Sequence, residues 1–135
     1  MLKRYIIYGL IGWCAEVFWT GFGSLLKGDP RMEGWTYIWM FFIYGLAVFL
    51  EPVHNKIRNH SAIVRGGIYM LLIFSIEYFT GWFLETTITV CPWDYTGNPF
   101  SIHGYIRLDY APVWFIAGLL FEKIHDNLIL FQNKI

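Results

Sequence analysis

The sequence predicts an all-α integral membrane protein with four transmembrane helices, arranged as two parallel helix-pair halves, and a long outer loop between helices 3 and 4. Three observations support this prediction. Of the 135 residues, 56% are apolar and only 15% are charged, against about 45–50% and 25% in soluble domains. A soluble chain this short buries only about two-thirds of its surface on folding, so the excess of apolar side chains needs lipid around it. Long apolar segments also run through the whole chain, which predicts a single transmembrane domain over residues 1–135.

Each apolar segment has roughly the length that a membrane requires. A helix that crosses a ~30 Å hydrocarbon core needs about 20 mostly apolar residues. Predicted helices cover residues 5–26, 34–51, 63–88 and 110–131. Proline cannot continue a helix, and helix-breaking residues follow the first three segments: Gly28-Asp29-Pro30, Glu51-Pro52 and Pro92. The fourth segment is the most polar.

The distribution of basic residues predicts the orientation. Of the 10 Lys and Arg residues, seven lie near the two termini or after the second helix, and three lie on the other side. By the positive-inside rule, this predicts that both termini lie in the cytoplasm. The expected location is a bacterial-type cytoplasmic membrane. The loop 89–109 then faces outward, or re-enters the membrane. His54 and His60 are interpreted as solvated histidines of the cytoplasmic loop rather than as a metal pair.

Several functions are excluded or unsupported. Ten basic residues against ten acidic ones leave no basic stripe, so nucleic acid is not expected as a partner. The sequence has no Gly-x4-Gly-Lys-Ser/Thr phosphate-binding loop. Cys91, Asp94 and His103 have no recognised metal-ligand spacing. Glu122 and His125 have the Glu-x-x-His spacing of metal-binding bundles. Such bundles use two copies of this motif, and the sequence is interpreted as having one, so no metal site is predicted. No catalytic residue, cofactor or metal is predicted, and the question of enzymatic activity stays open.

Two motifs recur in the predicted helices. The pair Gly12-x3-Glu16 of helix 1 matches Gly81-x3-Glu85 of helix 3, and two Gly-Leu motifs lead to acids in helices 2 and 4: Gly45-Leu46 to Glu51, and Gly118-Leu119 to Glu122. Helices 1 and 3 run in the same direction. The repeat therefore predicts parallel halves, with a pseudo-axis along the membrane normal.

Acidic residues lie on the small-residue faces of three predicted helices. At 100° per residue, Glu16, Glu77 and Glu122 share a face with glycine or alanine, where helices approach closely. A carboxylate at the centre of a helix costs on the order of 3 kcal/mol on insertion scales, so these acids should face the bundle. They predict a site that handles protons or cations; the alternative is that they lock helices together through hydrogen bonds. The predicted substrate- or ion-binding residues are Glu16, Glu77, Glu122, Glu85, Asp94, Trp13, Trp93, Tyr95 and Trp114.

The start of the outer loop has a physical interpretation of its own. Pro92 ends helix 3, Asp94 can cap local backbone, and Trp93 and Tyr95 can anchor the loop at the membrane interface. A rigid turn is the favoured interpretation, and a lid over the bundle is the alternative. Aromatic rings beside Glu16 could enclose an organic cation, although packing against lipid is the simpler role.

These motifs, taken in order, resemble the CmpB-like "Putative ABC-transporter type IV" family and its relatives called transmembrane protein 229. The most specific part is Cys91-Pro92-Trp93-Asp94-Tyr95 followed by Gly104-x-Ile106, and the similarity runs almost from end to end. The resemblance implies a multi-span membrane protein and supplies no catalytic or binding residue to transfer. Glu85 matches bacterial-type members better than the transmembrane protein 229 branch.

The leading hypothesis is a small transporter or permease-like protein. Glu16 and Glu77 would exchange protons or bind a cation near mid-membrane, with Glu122 as an accessory acid. One alternative is a membrane-embedded enzyme acting on a lipid or hydrophobic substrate, with Glu77, Asp94, His103 and Glu122 as acid–base groups. Another is a non-catalytic membrane subunit of a larger complex. The expected partners are the lipid bilayer, further copies of this chain in a homo-oligomer, and a partner membrane or ATPase subunit.

Overall fold

The computed structural model describes residues 1–134 and is mostly helical. The helices are α1 (Leu2–Leu26), α2 (Ile38–Gly45), α3 (Glu51–Ile57), α4 (Ala62–Ile88) and α5 (Ala111–Lys134). A 3-10 helix, Leu46–Leu50, joins α2 to α3, and a second one, Leu108–Tyr110, precedes α5. The two short strands β1 (Ser101–Ile102) and β2 (Ile106–Arg107) pair antiparallel.

Within residues 1–134, three helical segments are long and apolar enough to cross a membrane, judged by length and composition: Leu2–Leu26, Ile38–Ile57 and Ala62–Ile88. The prediction of a helical membrane protein is confirmed at this level. The fourth predicted segment forms α5, which is long but carries the polar residues noted above.

The chain divides into two compact units, Met1–Val48 and Phe49–Ile135. In unit 1, α1 packs against α2; in unit 2, α4 packs against α5. The boundary between the units lies inside the 3-10 helix Leu46–Leu50. The second predicted helix therefore contributes α2 to one unit and α3 to the other.

Glycines allow α1 and α2 to approach closely in unit 1. A Cβ atom on Gly9 would lie 2.6 Å from the carbonyl oxygen of Phe41, and one on Gly12 would overlap the ring of Tyr44. The expected close contact on this face is confirmed at these two positions. Gly23, placed on the same face by the helical periodicity, has nothing within 4 Å of a Cβ position.

A non-helical segment, residues 32–37, precedes α2, which begins four residues later than predicted. Side chains of α1 satisfy backbone groups of this segment. The Thr20 hydroxyl donates to the carbonyl of Trp35 at 2.9 Å and accepts from its N–H at 2.8 Å. Trp13 Nε1 and Ser24 Oγ donate to two further carbonyls of the segment, at 2.9 and 2.7 Å. The start of α2 is delayed to Ile38 because these backbone groups already have side-chain partners and do not need helical hydrogen bonds.

The prediction that Glu51-Pro52 ends the second helix is wrong. Pro52 stands in the first turn of α3, where the N–H that proline lacks would have no intrahelical partner. The chain therefore stays helical to Ile57. This places Glu51 and His54, on either side of Pro52, in the packed interior of unit 2 instead of leaving His54 in a loop.

The close contact of α4 with α5 depends on Gly118. A Cβ on Gly118 would overlap Tyr69, a side chain of α4 with no exposed surface. We expect Gly118→Ala to destabilise the protein by about 1–3 kcal/mol, because a packed core does not yield to an extra carbon atom. The thermal unfolding midpoint in detergent measures this loss.

Gly67→Ala is the matched control, since nothing lies within 4 Å of a Cβ there. In that helix interior, alanine should leave the midpoint unchanged or raise the stability by roughly 0.5–1 kcal/mol. Equal effects of the two substitutions would contradict the assigned contact.

Candidate functional site

A buried group of ionisable side chains lies in unit 2, contributed by α3, α4 and α5. We call it the histidine–carboxylate cluster. Its buried members have between 0% and 8% of their surface exposed: Glu51, His54, Tyr69, Glu122 and His125. Three further side chains complete it at its edge: Arg58, Arg65 and Asp126. Such side chains are almost never fully buried unless they are paired, so the pairing decides what the cluster can do.

Two Glu-x-x-His motifs form the centre of the cluster. One is Glu51-x-x-His54 in α3, and the other is Glu122-x-x-His125 in α5. Residues three apart share one face of a helix. His54 Nδ1 lies 3.4 Å from Glu122 Oε1, and His125 Nδ1 lies 3.5 Å from Glu51 Oε1. The motifs therefore pair reciprocally, each histidine with the acid of the other helix.

Glu122 receives several donors on one oxygen. Arg65 Nε donates to Glu122 Oε1 at 2.7 Å, and the Tyr69 hydroxyl donates to the same atom at 2.9 Å. A guanidinium and a hydroxyl together offset the desolvation of a buried carboxylate, which would otherwise cost several kcal/mol. Arg65 is therefore the cation that pairs with this acid.

His54 connects the buried centre to the edge of the cluster. Its Nε2 lies 3.1 Å from Asp126 Oδ1, and its Nδ1 lies 2.9 Å from the Tyr69 hydroxyl. Arg58 donates to both oxygens of Asp126, at 2.9 and 3.0 Å, the bidentate geometry that makes guanidinium–carboxylate pairs strong. The Asp126 carboxylate raises the pKa of Arg58 through these hydrogen bonds.

The rings of His54, His125 and Phe121 also contact one another. Phe121 stacks on His125 with 5.9 Å between centroids, and the two imidazoles lie edge to face at 5.6 Å. Packing of this kind fixes the ring orientations. Among residues 1–134, no group of three or more His, Cys, Asp or Glu side chains has a geometry suited to a metal ion.

Two interpretations from the sequence are wrong here. His54 is 2% exposed inside α3 and is not a solvated loop residue, whereas His60 is exposed. The Glu-x-x-His spacing was read as a single copy, but Glu51 and His54 form a second one. That spacing could have been found in the sequence. The proline between its two ends disguised it, because the helix was expected to stop there.

Glu16 lies in unit 1, where it meets a tyrosine. The Tyr44 hydroxyl of α2 donates to Glu16 Oε2 at 2.7 Å. The Nε1–H of Trp13 donates to the carbonyl of Tyr37, so it does not donate to Glu16. The acid thus joins the two helices of unit 1.

Glu77 is buried in unit 2 and also meets a tyrosine. The Tyr95 hydroxyl donates to Glu77 Oε1 at 3.0 Å. Tyr95 lies in residues 89–109 between α4 and α5, a segment that we call the outer loop after its predicted orientation. The Arg107 guanidinium lies over the ring of Tyr110, 4.2 Å from its centroid, and 5.8 Å from that of Tyr95. The hydrogen bond to the buried acid therefore holds the loop onto α4, and the cation–π contacts join its two ends, at Tyr95 and at Arg107 with Tyr110.

The other predicted residues of the outer loop stabilise its conformation. Trp93 is buried and donates from Nε1 to the carbonyl of Tyr105 at 2.9 Å. Asp94 accepts from the N–H and the hydroxyl of Thr96, which lowers the pKa of Asp94. The predicted capping role of Asp94 is confirmed.

Glu85 and Trp114 lie at the edges of this region. Glu85 is exposed and accepts a hydrogen bond from the Tyr105 hydroxyl, which raises the pKa of Tyr105 to about 12. Trp114, on α5, contacts the ring of Tyr110 edge to face at 6.3 Å. The predicted site residues thus fall into three places, and of the acids among them, Glu122 is the one in the histidine–carboxylate cluster.

Comparison with known proteins gives one family. A family model described as "Putative ABC-transporter type IV" matches residues 4–134. The match includes every member of the histidine–carboxylate cluster and the whole outer loop. No solved structure matches the chain.

Pairing in the cluster predicts a specific pattern of stabilities. Arg65→Ala should lower the free energy of unfolding by clearly more than Arg31→Ala does, because Glu122 stays buried without its cation. Glu122→Gln in the same chain should recover part of this loss, since the uncompensated charge is gone. Denaturation in detergent measures the single and double variants.

Arg31→Ala is the control for this cycle. Arg31 also contacts a carboxylate, that of Asp29, but its side chain is 79% exposed, and exposed pairs contribute about 0–1 kcal/mol. Strictly additive effects of Arg65→Ala and Glu122→Gln would contradict the assigned pairing.

Proposed function

The chain belongs to the Putative ABC-transporter type IV family, and from this premise we propose that it is a small membrane transport protein that binds protons or cations at the histidine–carboxylate cluster. One observation carries the proposal: the buried reciprocal pairing of Glu51-x-x-His54 with Glu122-x-x-His125. Ionisable groups inside a membrane protein mark ion pathways and proton relays. A histidine next to a carboxylate can change its charge near neutral pH.

The proposal changes the roles of the predicted acids. Glu122 becomes the central acid, because it contacts Arg65, Tyr69 and His54 at one oxygen. Glu16 and Glu77 each accept a tyrosine hydroxyl, an arrangement that suits acids which fix a helix or a loop in position. They keep the alternative role expected of them, as hydrogen-bonded locks.

We further propose that α5 is a fourth membrane span and that both termini are cytoplasmic. α5 has 24 residues, enough to cross the hydrocarbon core. Its polar side chains Glu122 and His125 are buried against protein, so these two groups do not face lipid. The basic residues near the termini and after α3 support the orientation by the positive-inside rule.

The parallel repeat gains support from the matched Gly-Leu motifs. Gly45, in α2, lies under the ring of Tyr5 from α1, and Gly118, in α5, lies under Tyr69 from α4. In each half, the glycine therefore receives a tyrosine from the preceding long helix. The acid that each motif leads to, Glu51 or Glu122, belongs to the cluster. We propose that the two halves arose from one helix pair.

Association with other chains is also part of the proposal. Four helices are few to enclose a path, which supports a homo-oligomer. The sequence has no phosphate-binding loop of the P-loop type, so ATP hydrolysis of that kind would come from a partner ATPase subunit. The enzyme alternative has less support, because two of its acid–base groups already have hydrogen-bond partners. Asp94 is bonded to Thr96, its neighbour in the outer loop, and His103 is bonded to Tyr78 of α4.

The test uses the purified chain in pyranine-loaded vesicles with an imposed pH gradient. We expect Na⁺, K⁺ or tetraethylammonium chloride, added outside, to dissipate the gradient faster than in empty vesicles. Glu122→Gln should slow this dissipation by about 100-fold, because an amide cannot release a proton near neutral pH. Fluorescence of the trapped dye measures the rate.

Glu33→Gln is the matched control, an acid whose side chain is 72% exposed, and it should retain the wild-type rate. Wild-type vesicles that match empty ones with all three cations, or equal rates for wild type and Glu122→Gln, would overturn the proposal.

A further inference from the structure

We infer that Asp126, His54, Tyr69 and Glu122 form a proton relay between the edge of the histidine–carboxylate cluster and its buried acid. The inference rests on the proposed function and adds the route by which the proton moves. Four groups able to exchange a proton follow one another: Asp126 Oδ1 to His54 Nε2 at 3.1 Å, His54 Nδ1 to the Tyr69 hydroxyl at 2.9 Å, and that hydroxyl to Glu122 Oε1 at 2.9 Å.

The chain runs from an accessible group to an inaccessible one. The Asp126 side chain is 40% exposed, that of Glu122 is 11% exposed, and Tyr69 has no exposed surface. His54 and Tyr69 lie between the two acids in hydrogen-bond contact, and both are buried. A proton that reaches Glu122 along these contacts crosses the packed part of unit 2 without needing a water-filled opening. Chains of acidic and histidine side chains serve this purpose in pumps and transporters.

His54 lies between two groups that can exchange a proton with it. Its Nδ1 meets the Tyr69 hydroxyl, which donates to Glu122. Its Nε2 meets Asp126, whose two oxygens also accept from Arg58. Each ring nitrogen can donate or accept, depending on which of the two carries the proton.

Charged groups surround the His54 ring. It contacts Glu122 and Asp126 of α5, and these two acids are paired with Arg65 of α4 and with Arg58. His125, which lies edge to face against His54, contacts Glu51. The cluster therefore holds three carboxylates and two guanidinium groups around the two histidines.

The transfer balances along the chain. It starts with a proton on Glu122 and with neutral His54 protonated at Nε2. The Glu122 proton moves to the Tyr69 oxygen, the Tyr69 proton moves to His54 Nδ1, and the Nε2 proton moves to Asp126 Oδ1. Glu122 is left ionised, Tyr69 is again a neutral phenol, and Asp126 holds the proton for release. Each passage leaves the imidazole proton on the opposite nitrogen, so the next passage begins with a tautomer change.

The first arm of the test observes His54 directly. The chain has four histidines; labelled with ¹⁵N-histidine in nanodiscs, it gives one pair of ring-nitrogen resonances for each, and His54→Gln assigns the pair from His54. We expect Tyr69→Phe and Asp126→Asn each to change the ring-nitrogen resonances of His54, because each substitution removes one of the two hydrogen-bond partners of the ring. Asp29→Asn, at an exposed pair in unit 1, should leave them unchanged.

The second arm measures proton flux in the vesicle assay. Tyr69→Phe keeps the ring that covers Gly118 and removes only the hydroxyl, so it should fold like the wild type and slow the flux by at least about tenfold. Tyr78→Phe is the matched control on the same helix. Its hydroxyl contacts His103 of the outer loop, and its removal should leave the flux unchanged.

The outcomes separate the relay from the proposed function. His54 resonances that neither substitution changes, or a Tyr69→Phe flux equal to that of the wild type, overturn the relay while proton-driven transport through Glu122 stands. Wild-type vesicles without any proton movement overturn the proposed function, and the relay with it. His54 resonances that respond to both substitutions, together with a selective loss of flux in Tyr69→Phe, support both.

Discussion

The reciprocal pairing of two glutamates with two histidines is the constraint on which the organisation of unit 2 depends. A carboxylate cannot be buried in an apolar protein unless a cation or several hydrogen-bond donors meet it. Glu122 therefore needs Arg65 and Tyr69 from α4 as well as His54 from α3. These requirements fix the positions of α3, α4 and α5 in the region of the cluster. Gly118 lets α4 and α5 approach closely enough for the contacts to form.

Much of the helical architecture could be predicted from the sequence. Composition, segment length and glycine periodicity identified the helices and placed Glu122 on a packed face. The continuation of the second helix could not be predicted in the same way. Pro52 is a helix breaker in the interior of a helix and a helix starter in its first turn. Only the preceding 3-10 helix shows which of these applies.

The candidate site was predicted in part for a related reason. Glu122 was found because it interrupts an apolar segment, so its burial demanded an explanation. Tyr69 gave no comparable signal, since a tyrosine in a membrane helix is ordinary. Its importance comes from long-range contacts with His54 and Glu122, which periodicity within one helix does not describe. Glu16 and Glu77 had the same signal as Glu122, but their tyrosine partners, Tyr44 and Tyr95, come from positions that no spacing rule connects to them.

The way residues 32–37 lie along α1 has a consequence for the order in which the protein assembles. Backbone N–H and C=O groups without partners cost several kcal/mol each in hydrocarbon. Here Thr20, Trp13 and Ser24 supply the partners, and they come into register only once α1 is helical. We therefore expect the first helix to form first during biosynthesis and to act as a template for the conformation of residues 32–37. The second hydrophobic segment would then enter the bilayer guided by its predecessor rather than independently.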